Sequence, residues 1–406
     1  MTKITIISSY YYPEDTAVGL YNAQMVNYLE EKGYDVTVIT GFPFYPQWRI
    51  RDSYIKKPTF FKEFIGKTLV LRYKQYVPAN PNFIKRILQI IDFTFGGLIN
   101  VFKVKECDIV ISVVPYTSCT FLGWILKKRT KAILWNHIQD FEFDAALQTG
   151  VSSNPGILKS LLFKFLFRLE TFLFNRAEIN STISFSMIDK LDKKSKKPSF
   201  YFPNWIDESK LTIEHQSKHP YLKSPKYKIL YSGNIGDKQD WEFFIKFATK
   251  VNELDLAEIV IVGDGAKKEW LCAQLSKLEN VSYFPPVKYE ELSNLLCSAD
   301  LHLLFQKNDV IDSVMPSKLL GMMGSSKPSL IKGNTTSEVK EIIENSQGGF
   351  YVVNESIDEC IDRLKFLISK PQESIQMGIN ARTYILSKFS SQNVLTLFTQ
   401  KLETLF

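Results

Sequence analysis

The chain has 406 residues, of which 45% are hydrophobic and 23% are charged, and its formal net charge is +7. This length predicts two or more domains with sizeable cores, and the composition excludes a disordered or fibrous chain. The five cysteines show neither CxxC nor metal-ligand spacing, and the N-terminus leads directly into an apolar strand. We therefore expect a cytoplasmic protein without a secretory signal, disulfides or a zinc site. The longest apolar stretch, 88–102, is too short to span a bilayer.

Short apolar strands alternate with helices along most of the chain, which is the pattern of doubly wound parallel sheets. The strands predicted in the first half are ITIIS, VTVIT, LVLRY, IVISV, AILW, STIS and SFYFPN, with helices at about 20–32, 84–103 and 119–128. Those predicted in the second half are KILYSG, AEIVIVG, VSYFP, LHLLF, PSLIK and GFYVV, with helices between them and at about 377–388 and 393–406.

The two halves are separated by a polar segment, 207–226, that lacks periodicity. We predict two Rossmann-like domains whose parallel sheets face a cleft. Their bounds are 1–205 for the N-terminal domain, 206–227 for the linker, 228–390 for the C-terminal domain, and 391–406 for a last helix that packs back on the first domain. Ligands of such sheets bind beyond the carboxyl ends of the strands. Candidate site residues are therefore sought in the loops that follow strands.

Two glycine-rich motifs of the second half follow strands and precede helices. In YSGNIGDKQD, Gly233 lets backbone amides approach an anion, and Asn234 and Lys238 lie in the same loop. Lys238 can supply a positive charge to a diphosphate. In VGDG, Gly263 and Gly265 shape the turn. Both motifs also fit plain glycine-rich turns, so each signal is weak by itself.

The stretch 312–328, DSVMPSKLLGMMGSSKP, predicts a short apolar helix that begins with Pro-Ser-Lys. Pro316 suits the first helical position. Ser317 and Lys318 then lie beside unpaired N–H groups and the positive end of the helix dipole, a corner that binds phosphate. An ordinary capped helix is the alternative. Because no Asp-x-Asp pair or metal-ligand cluster occurs, Lys238, Lys318 and helix dipoles would neutralise a leaving diphosphate without a bound cation or other cofactor.

A tyrosine-rich loop, SYYYPEDTAVG, follows the first predicted strand. Gly19 opens the next helix, where its N–H can face a phosphate or an acceptor. Tyr10, Tyr11 and Tyr12 offer stacking surface to a sugar or a lipid-linked acceptor, or only pack. We expect Glu14 and Asp15 to be solvated.

The segment LWNHIQDFEFDAA carries the histidine that is best placed for ligand contact. His137 is expected just past the strand 132–135, with Gln139 and Asp140 beside it. The other histidines lie in the predicted linker or inside a strand. A structural histidine is the alternative.

Two helices combine apolar and basic residues. GILKSLLFKFLFRLETFLFNRA carries Lys159, Lys164, Arg168 and Arg176 among leucines and phenylalanines, and IKRILQIIDFTF is similar but shorter. Such helices can lie in a membrane interface and attract anionic lipids. The alternative is a buried helix whose basic residues extend to the surface. No nucleic acid is expected as a partner.

Taken together, SGNIGDKQD, VGDG, HIQDFEFDA, FPNW, FPFYPQW and MPSKLLGM resemble glycosyltransferase family 4, which has the GT-B fold. The likeness is greatest to bacterial colanic-acid, capsule and O-antigen enzymes. It implies retaining transfer of a sugar, with L-fucose and N-acetyl-L-fucosamine as candidates, from a GDP- or UDP-linked donor. The implied acceptor is a glycan linked to undecaprenyl diphosphate at the inner face of the cell membrane. The second domain would hold the nucleotide and the first the acceptor.

The resemblance also implies roles for residues. Asn234 and Lys238 match positions that contact the donor diphosphate, and His137 matches a histidine near the transferred sugar. Gly19 matches the glycine of the first loop, and Glu338, after GNTTS, matches a nucleotide contact. His137 and Lys238 are accordingly the predicted catalytic residues.

One departure from the family concerns two glutamates, eight positions apart in many members. Ser313 and Gly321 stand at those positions, and we predict that Ser317 and Lys318 take over phosphate or ribose binding. The departure keeps a non-catalytic nucleotide-sugar-binding assembly subunit open as an alternative. A GT-B nucleotide-sugar 2-epimerase is less favoured, because it would need more acidic and histidine side chains.

Overall fold

The computed structural model describes residues 1–14, 17–45, 47–144, 157–308 and 317–405. These residues form two compact α/β units. Unit 1 is Met1–Pro203 together with Leu397–Phe406, and unit 2 is Asn204–Thr396. Each unit is built on one sheet, and the prediction of two α/β domains with parallel sheets is confirmed.

Unit 1 has an eight-stranded sheet in the order β3-β4-β2-β1-β5-β6-β7-β8. Its elements in chain order are β1 (Lys3–Ile7), α1 (Ala17–Glu31), β2 (Asp35–Gly41), α2 (Asp52–Ile55), β3 (Phe60–Ile65), β4 (Thr68–Tyr73), α3 (Phe83–Lys103), β5 (Ile109–Val114), α4 (Thr117–Thr130), β6 (Ile133–Ile138), α5 (Ile157–Phe174), β7 (Ile179–Thr182), α6 (Phe185–Lys194) and β8 (Ser199–Tyr201). Every strand pair is parallel except β3 with β4. Strand β3 was not predicted, because its charged residues suggested only a basic segment.

Unit 2 has a six-stranded, fully parallel sheet in the order β11-β10-β9-β12-β13-β14. Its elements are β9 (Lys228–Ser232), α7 (Trp241–Glu253), β10 (Glu258–Val262), α8 (Lys268–Leu275), β11 (Val281–Phe284), α9 (Tyr289–Ser298), β12 (Leu301–Phe305), α10 (Ser317–Gly324), β13 (Ser329–Lys332), α11 (Glu338–Ser346), β14 (Gly349–Val352), α12 (Ile357–Ser369), α13 (Pro371–Phe389) and α14 (Ser391–Glu403). This is the strand order of the Rossmann fold.

The central strands are apolar on both faces because helices cover both faces of each sheet. All six residues of β5 and all five of β12 are buried. On one side of the unit 1 sheet, Phe93 and Val101 of α3 and Leu122 of α4 fill the core against β5. None of the described helices combines the length and the apolar character that crossing a bilayer requires.

The last helix, α14, begins in unit 2 and ends in unit 1. Its residue Phe398 is fully buried and stacks on Phe202, with ring centroids 4.6 Å apart. The segment 206–227 packs within unit 2, where Leu211 and Leu222 are buried.

Candidate functional site

The glycine loop after β9 and the Pro-Ser-Lys helix, which were predicted to neutralise one diphosphate together, meet at one point of the sheet. Strands β9 and β12 are neighbours there, and the chain leaves them toward opposite edges, which is where Rossmann-like sheets bind ligands. From α10, Lys318 Nζ donates hydrogen bonds to the Tyr231 hydroxyl at 2.6 Å and to the Asn234 carbonyl oxygen at 3.2 Å. The Tyr231 hydroxyl donates to the same carbonyl oxygen at 2.6 Å. The predicted phosphate corner and the glycine loop after β9 therefore form one cluster.

The glycines of this cluster allow backbone and side chains to approach closely. A Cβ at Gly233 would lie 2.3 Å from Cε of Lys318, and one at Gly263 would lie 1.9 Å from the Gly233 carbonyl oxygen. Gly265 has φ +155°, and a Cβ there would lie 2.4 Å from the Ile235 carbonyl oxygen. Side chains at these positions would push the loops after β9 and β10 apart.

The cluster carries one half-buried cation and one exposed cation. Lys318 Nζ lies 4.7 Å from the centroid of the Tyr231 ring, and burial lowers the pKa of Lys318 to about 8. Lys238 lies in the turn after Gly236 and is exposed, as is Asn234. The two lysines that were predicted to neutralise a diphosphate therefore differ in environment, with Lys318 fixed by hydrogen bonds and Lys238 in water.

The remaining predicted donor-side positions are placed only in part. Pro316 and Ser313 lie outside the described residues, and Ser317 begins α10. Gly321 lies on α10, where a Cβ would come 3.1 Å from Cδ1 of Leu296. Glu338 is the first residue of α11 and is half-buried.

The structure corrects the position of His137. It lies within β6 rather than after it, and it is 2% exposed. Its Nδ1 is 3.0 Å from Ser181 Oγ, and its Nε2 is 2.8 Å from Gln139 Nε2. Because the Gln139 amide can only donate through that nitrogen, Nε2 accepts and the ring proton is assigned to Nδ1. Burial lowers the pKa of His137 to about 3, so the ring is neutral.

Both residues after the strand remain near the carboxyl end of β6. Gln139 is buried, and its backbone N–H donates to the Val114 carbonyl oxygen at 2.9 Å. Asp140 is half-buried. The ring nitrogens of His137 are thus engaged inside the unit, and His137 fixes the orientation of the Gln139 side chain.

The loop after β1 departs from the prediction in two respects. Tyr11 is buried with 2% exposure, so its ring is not a stacking surface, whereas Tyr12 is 51% exposed. Glu14 was expected to be solvated, and that is wrong: it is 2% exposed. Its Oε1 accepts hydrogen bonds from the backbone N–H groups of Phe44 at 2.8 Å and Tyr45 at 2.9 Å.

Gly19 lies close to the backbone and Cβ of Glu14. A Cβ at Gly19 would lie 2.8 Å from the Glu14 Cβ and 2.9 Å from its carbonyl oxygen. The close approach of Gly19 to the Glu14 backbone is itself a reason for a glycine in the first turn of α1. Asp15, which was predicted to be solvated, lies outside the described residues.

Burial of Glu14 predicts an unusual dependence of stability on pH. Burial raises the pKa of this carboxyl from 4.5 to about 7. Because the folded pKa is the higher one, the contribution of Glu14 to stability is fully present below about pH 4.5 and is lost as the pH rises through about 7. The change in pKa corresponds to about 3 kcal/mol. Glu14→Gln keeps an acceptor oxygen without the charge, so we expect the variant to match the wild type at pH 4 and to exceed its free energy of unfolding by up to about 3 kcal/mol at pH 8.

Urea unfolding at the two pH values measures this difference. Glu31→Gln is the matched control, because Glu31 is exposed at the end of α1. Equal effects of the two substitutions at both pH values would show that Glu14 is not titrating in a buried environment.

A second group of polar and aromatic residues lies in unit 1, and of its members only Tyr10 was named from the sequence. The Tyr10 and Tyr116 rings follow β1 and β5 and lie 5.8 Å apart. Beside them, Oε2 of Glu142 accepts a hydrogen bond from the backbone N–H of Thr117 at 2.8 Å. Burial raises the pKa of Glu142 to about 7, although hydrogen bonding from Thr117 and the nearby Arg86 oppose that shift. In the sequence, Glu142 is one of several acids after β6, and its contact with the start of α4 spans 25 residues.

The described residues were also compared with the side-chain groups that bind metal ions. Among them, no group of three or more His, Cys, Asp or Glu side chains is placed to hold a metal ion. The polar groups described above, beyond the strand ends of the two sheets, are therefore lysines, amides, hydroxyls and single carboxylates.

Comparison with known proteins identifies the family. A model described as glycosyl transferases group 1 matches residues 213–384. The chain is also similar over its whole length to a protein of Escherichia coli K12 that is provisionally named colanic acid biosynthesis glycosyl transferase WcaI. The two are 31% identical, and the alignment covers 98% of each chain.

Solved structures show the same fold at low sequence identity. Sucrose-phosphate synthase from Thermosynechococcus elongatus has a TM-score of 0.74 at 12% identity, covering 100% of this chain and 99% of that one. The catalytic domain of starch synthase IV from Arabidopsis thaliana, bound to ADP and acarbose, has a TM-score of 0.66 at 12% identity and covers 98% of each chain. Anabaena Alr3699/HepE in complex with UDP-glucose has a TM-score of 0.66 at 12% identity and covers 100% of each chain.

These likenesses confirm the GT-B fold that the motifs implied. The chain belongs to the glycosyl transferases group 1 family, and it is a glycosyltransferase.

Proposed function

We propose that the protein transfers a sugar, with retention of configuration, from a nucleoside-diphosphate sugar to a lipid-linked glycan during bacterial polysaccharide assembly. The observation that carries the proposal is the cluster of Lys318, Tyr231, Gly233 and Gly263 at the switch point of the unit 2 sheet. The name of the Escherichia coli relative supports colanic acid or a similar capsule, O-antigen or exopolysaccharide as the product class. The complex of Alr3699/HepE with UDP-glucose supports a nucleotide-sugar donor. L-Fucose and N-acetyl-L-fucosamine, carried on GDP or UDP, are the proposed sugars.

In this proposal, unit 2 binds the donor and stabilises the leaving diphosphate. The bond between the anomeric carbon and the diphosphate breaks while the acceptor oxygen bonds to the same carbon, and the acceptor proton passes to the departing phosphate oxygen. Lys318 and Lys238 offset the negative charge that develops there, without a metal ion. Asn234, Gly265 and the start of α10 at Ser317 line the diphosphate.

The nucleotide end and the acceptor have their own proposed contacts. Glu338 at the start of α11 meets the nucleotide. Tyr12, Gln139 and Asp140 of unit 1 meet the acceptor, and His137 positions Gln139 through the 2.8 Å hydrogen bond. The proposed acceptor is linked to undecaprenyl diphosphate, so the enzyme would act peripherally at the inner face of the cell membrane.

A panel of GDP- and UDP-sugars tests this function. We expect the correct donor, in thermal unfolding with EDTA present, to raise the Tm by several degrees, because ligand at 100 times its Kd adds about 2.7 kcal/mol of stability. Incubation of that donor with lipid-linked acceptor should give a product whose anomeric configuration, determined by NMR, equals that of the donor.

Matched variants make the panel specific. Lys238→Ala and His137→Ala should reduce turnover, whereas Lys246→Ala, which removes an exposed lysine of α7, should not. Absence of binding across the panel, or a need for added divalent metal, would contradict the proposed donor site.

A further inference from the structure

Helix α3 of unit 1 presents an exposed apolar stripe. Six of its large apolar residues are between 46% and 69% exposed, and we call them the α3 stripe: Ile84, Leu88, Ile91, Phe95, Ile99 and Phe102. They recur at spacings of three and four residues, which places them on one side of a helix. The usual pattern on a helix of a globular protein is a polar outer face, so α3 is unusual in being apolar on its outer side as well.

The inner side of α3 is already fully packed and carries polar groups. Gln89 and Asn100 are buried there, and Asn100 Nδ2 donates to the Leu71 carbonyl oxygen at 3.3 Å. Two glycines set the distance of the helix from its neighbours. A Cβ at Gly96 would lie 2.1 Å from the Tyr73 ring, and one at Gly97 would lie 2.7 Å from Cδ1 of Leu122. The stripe therefore cannot turn inward, and the alternative of a buried helix does not hold for α3.

The neighbouring helices extend the apolar surface. Helix α4 packs against both α3 and α5, so the three form one layer on the same side of the sheet. Trp124 of α4 contacts Phe172 of α5 edge to face, with centroids 5.7 Å apart. On α5, Leu161 and Phe165 are 57% and 62% exposed. We call the outer side of this layer the α3–α5 face.

The three helices of the α3–α5 face carry a net positive charge. The sequences of the three helices contain nine Lys or Arg residues and two acids, Asp92 and Glu170. Asp92 accepts hydrogen bonds from the Tyr73 hydroxyl and the Tyr76 N–H. Glu170 is buried and paired with Lys194. Lys127 is paired with Glu178, but neither Asp92 nor Glu170 offsets the charge of the exposed basic residues, which include Lys128, Arg129, Lys164 and Arg168.

Cations lie directly beside the exposed rings of this face. The Arg129 guanidinium lies 4.8 Å from the centroid of Phe102, and that of Arg176 lies 4.2 Å from the centroid of Phe172. Basic groups at the margin of an apolar face suit the boundary between anionic headgroups and acyl chains. A second copy of this chain is disfavoured as the occupant, since the same positive face would repel itself.

We propose that the α3–α5 face docks the protein on an anionic phospholipid bilayer, with α3 in the plane of the headgroups and its stripe inserted among the upper acyl carbons. The inference rests on the proposed function, because a lipid-linked acceptor is presented at the surface of a membrane. It deepens that function by assigning the part of the enzyme that contacts the membrane. The sequence alone did not decide which of the two basic helices contacts lipid, or whether they are buried instead.

Vesicle co-sedimentation of the full chain tests the proposal. We expect the wild type to bind vesicles of phosphatidylcholine mixed with phosphatidylglycerol, to bind pure phosphatidylcholine at least about tenfold more weakly, and to be released by salt. The triple variant Leu88→Gln, Phe95→Gln, Ile99→Gln should bind at least about tenfold more weakly to the anionic vesicles, because it removes apolar area from the stripe and keeps helix-forming side chains.

The matched control removes three apolar residues that are equally exposed elsewhere, Ile375→Gln, Ile379→Gln and Leu397→Gln, and should bind as the wild type does. Failure of the wild type to bind anionic vesicles, or an equal loss in the control, would overturn the inference. So would a wild-type dimer, measured by light scattering, that the stripe variant converts to monomer. Donor-induced Tm shifts are measured on the same proteins: shifts without vesicle binding would refute only the docking surface, and vesicle binding without shifts would refute only the donor site.

Discussion

Replacing Lys318 by alanine is expected to lower kcat/KM for sugar transfer by about 100- to 1000-fold, the effect typical of a donor group aimed at developing negative charge. Lys318 is held in place by the Tyr231 hydroxyl and the Asn234 carbonyl oxygen, so its ammonium needs little reorganisation when a diphosphate departs. Steady-state kinetics with the donor identified in the panel measures the loss. Most of it should appear in kcat, because the charge on the leaving group develops during the reaction.

Two further substitutions serve as controls for Lys318→Ala. Lys277→Ala removes an exposed lysine after α8 and should leave kcat/KM unchanged. The pKa of Lys318, about 8 in the free protein, adds a pH test: its ammonium loses the proton as the pH rises through that value, so kcat/KM should decline above about pH 8. Lys318→Arg should remove this decline because arginine stays charged. Full activity of Lys318→Ala would show that Lys318 only fills the space beside Gly233.

The fold was largely readable from the sequence because parallel strands are buried on both faces and so appear as short apolar runs. IVISVV and LHLLF, which are β5 and β12, illustrate this signal. Strand β3 was missed because it lies at the sheet edge, where Lys62 and Glu63 interrupt the pattern. The strand end at His137 was misplaced because β6 continues through polar residues, Asn136 and His137, that find partners on the next strand.

The candidate site could be predicted only in the parts that a local sequence motif indicates. Glycines beyond strand ends identified the loops after β9 and β10, since their spacing is local. The partners of those loops are set by tertiary structure: Lys318 meets Tyr231 across 87 residues. The burial of Glu14 depends on backbone N–H groups 30 residues away. Such contacts leave no local pattern, so an acid in a polar loop was reasonably predicted to be solvated.

Phe398→Ala is expected to destabilise unit 1 by about 3–5 kcal/mol, the usual cost of removing a buried phenylalanine. The Phe398 ring is fully buried, parallel to Phe202 within 7°, and 5.0 Å from the Trp135 centroid. Its loss leaves a cavity between α14 and the β6 side of the sheet. For a unit of this size, that change should lower the Tm by roughly 10 °C in differential scanning calorimetry.

The neighbouring residue supplies the control for this prediction. Leu397 is on the same helix and is 59% exposed, so Leu397→Ala should change the free energy of unfolding by no more than about 0.5 kcal/mol. Equal and small effects of the two substitutions would show that the end of α14 does not belong to the core of unit 1. A large effect confined to Phe398 would mean that the fold of the N-terminal unit depends on the last residues of the chain, because their packing supplies part of its hydrophobic core.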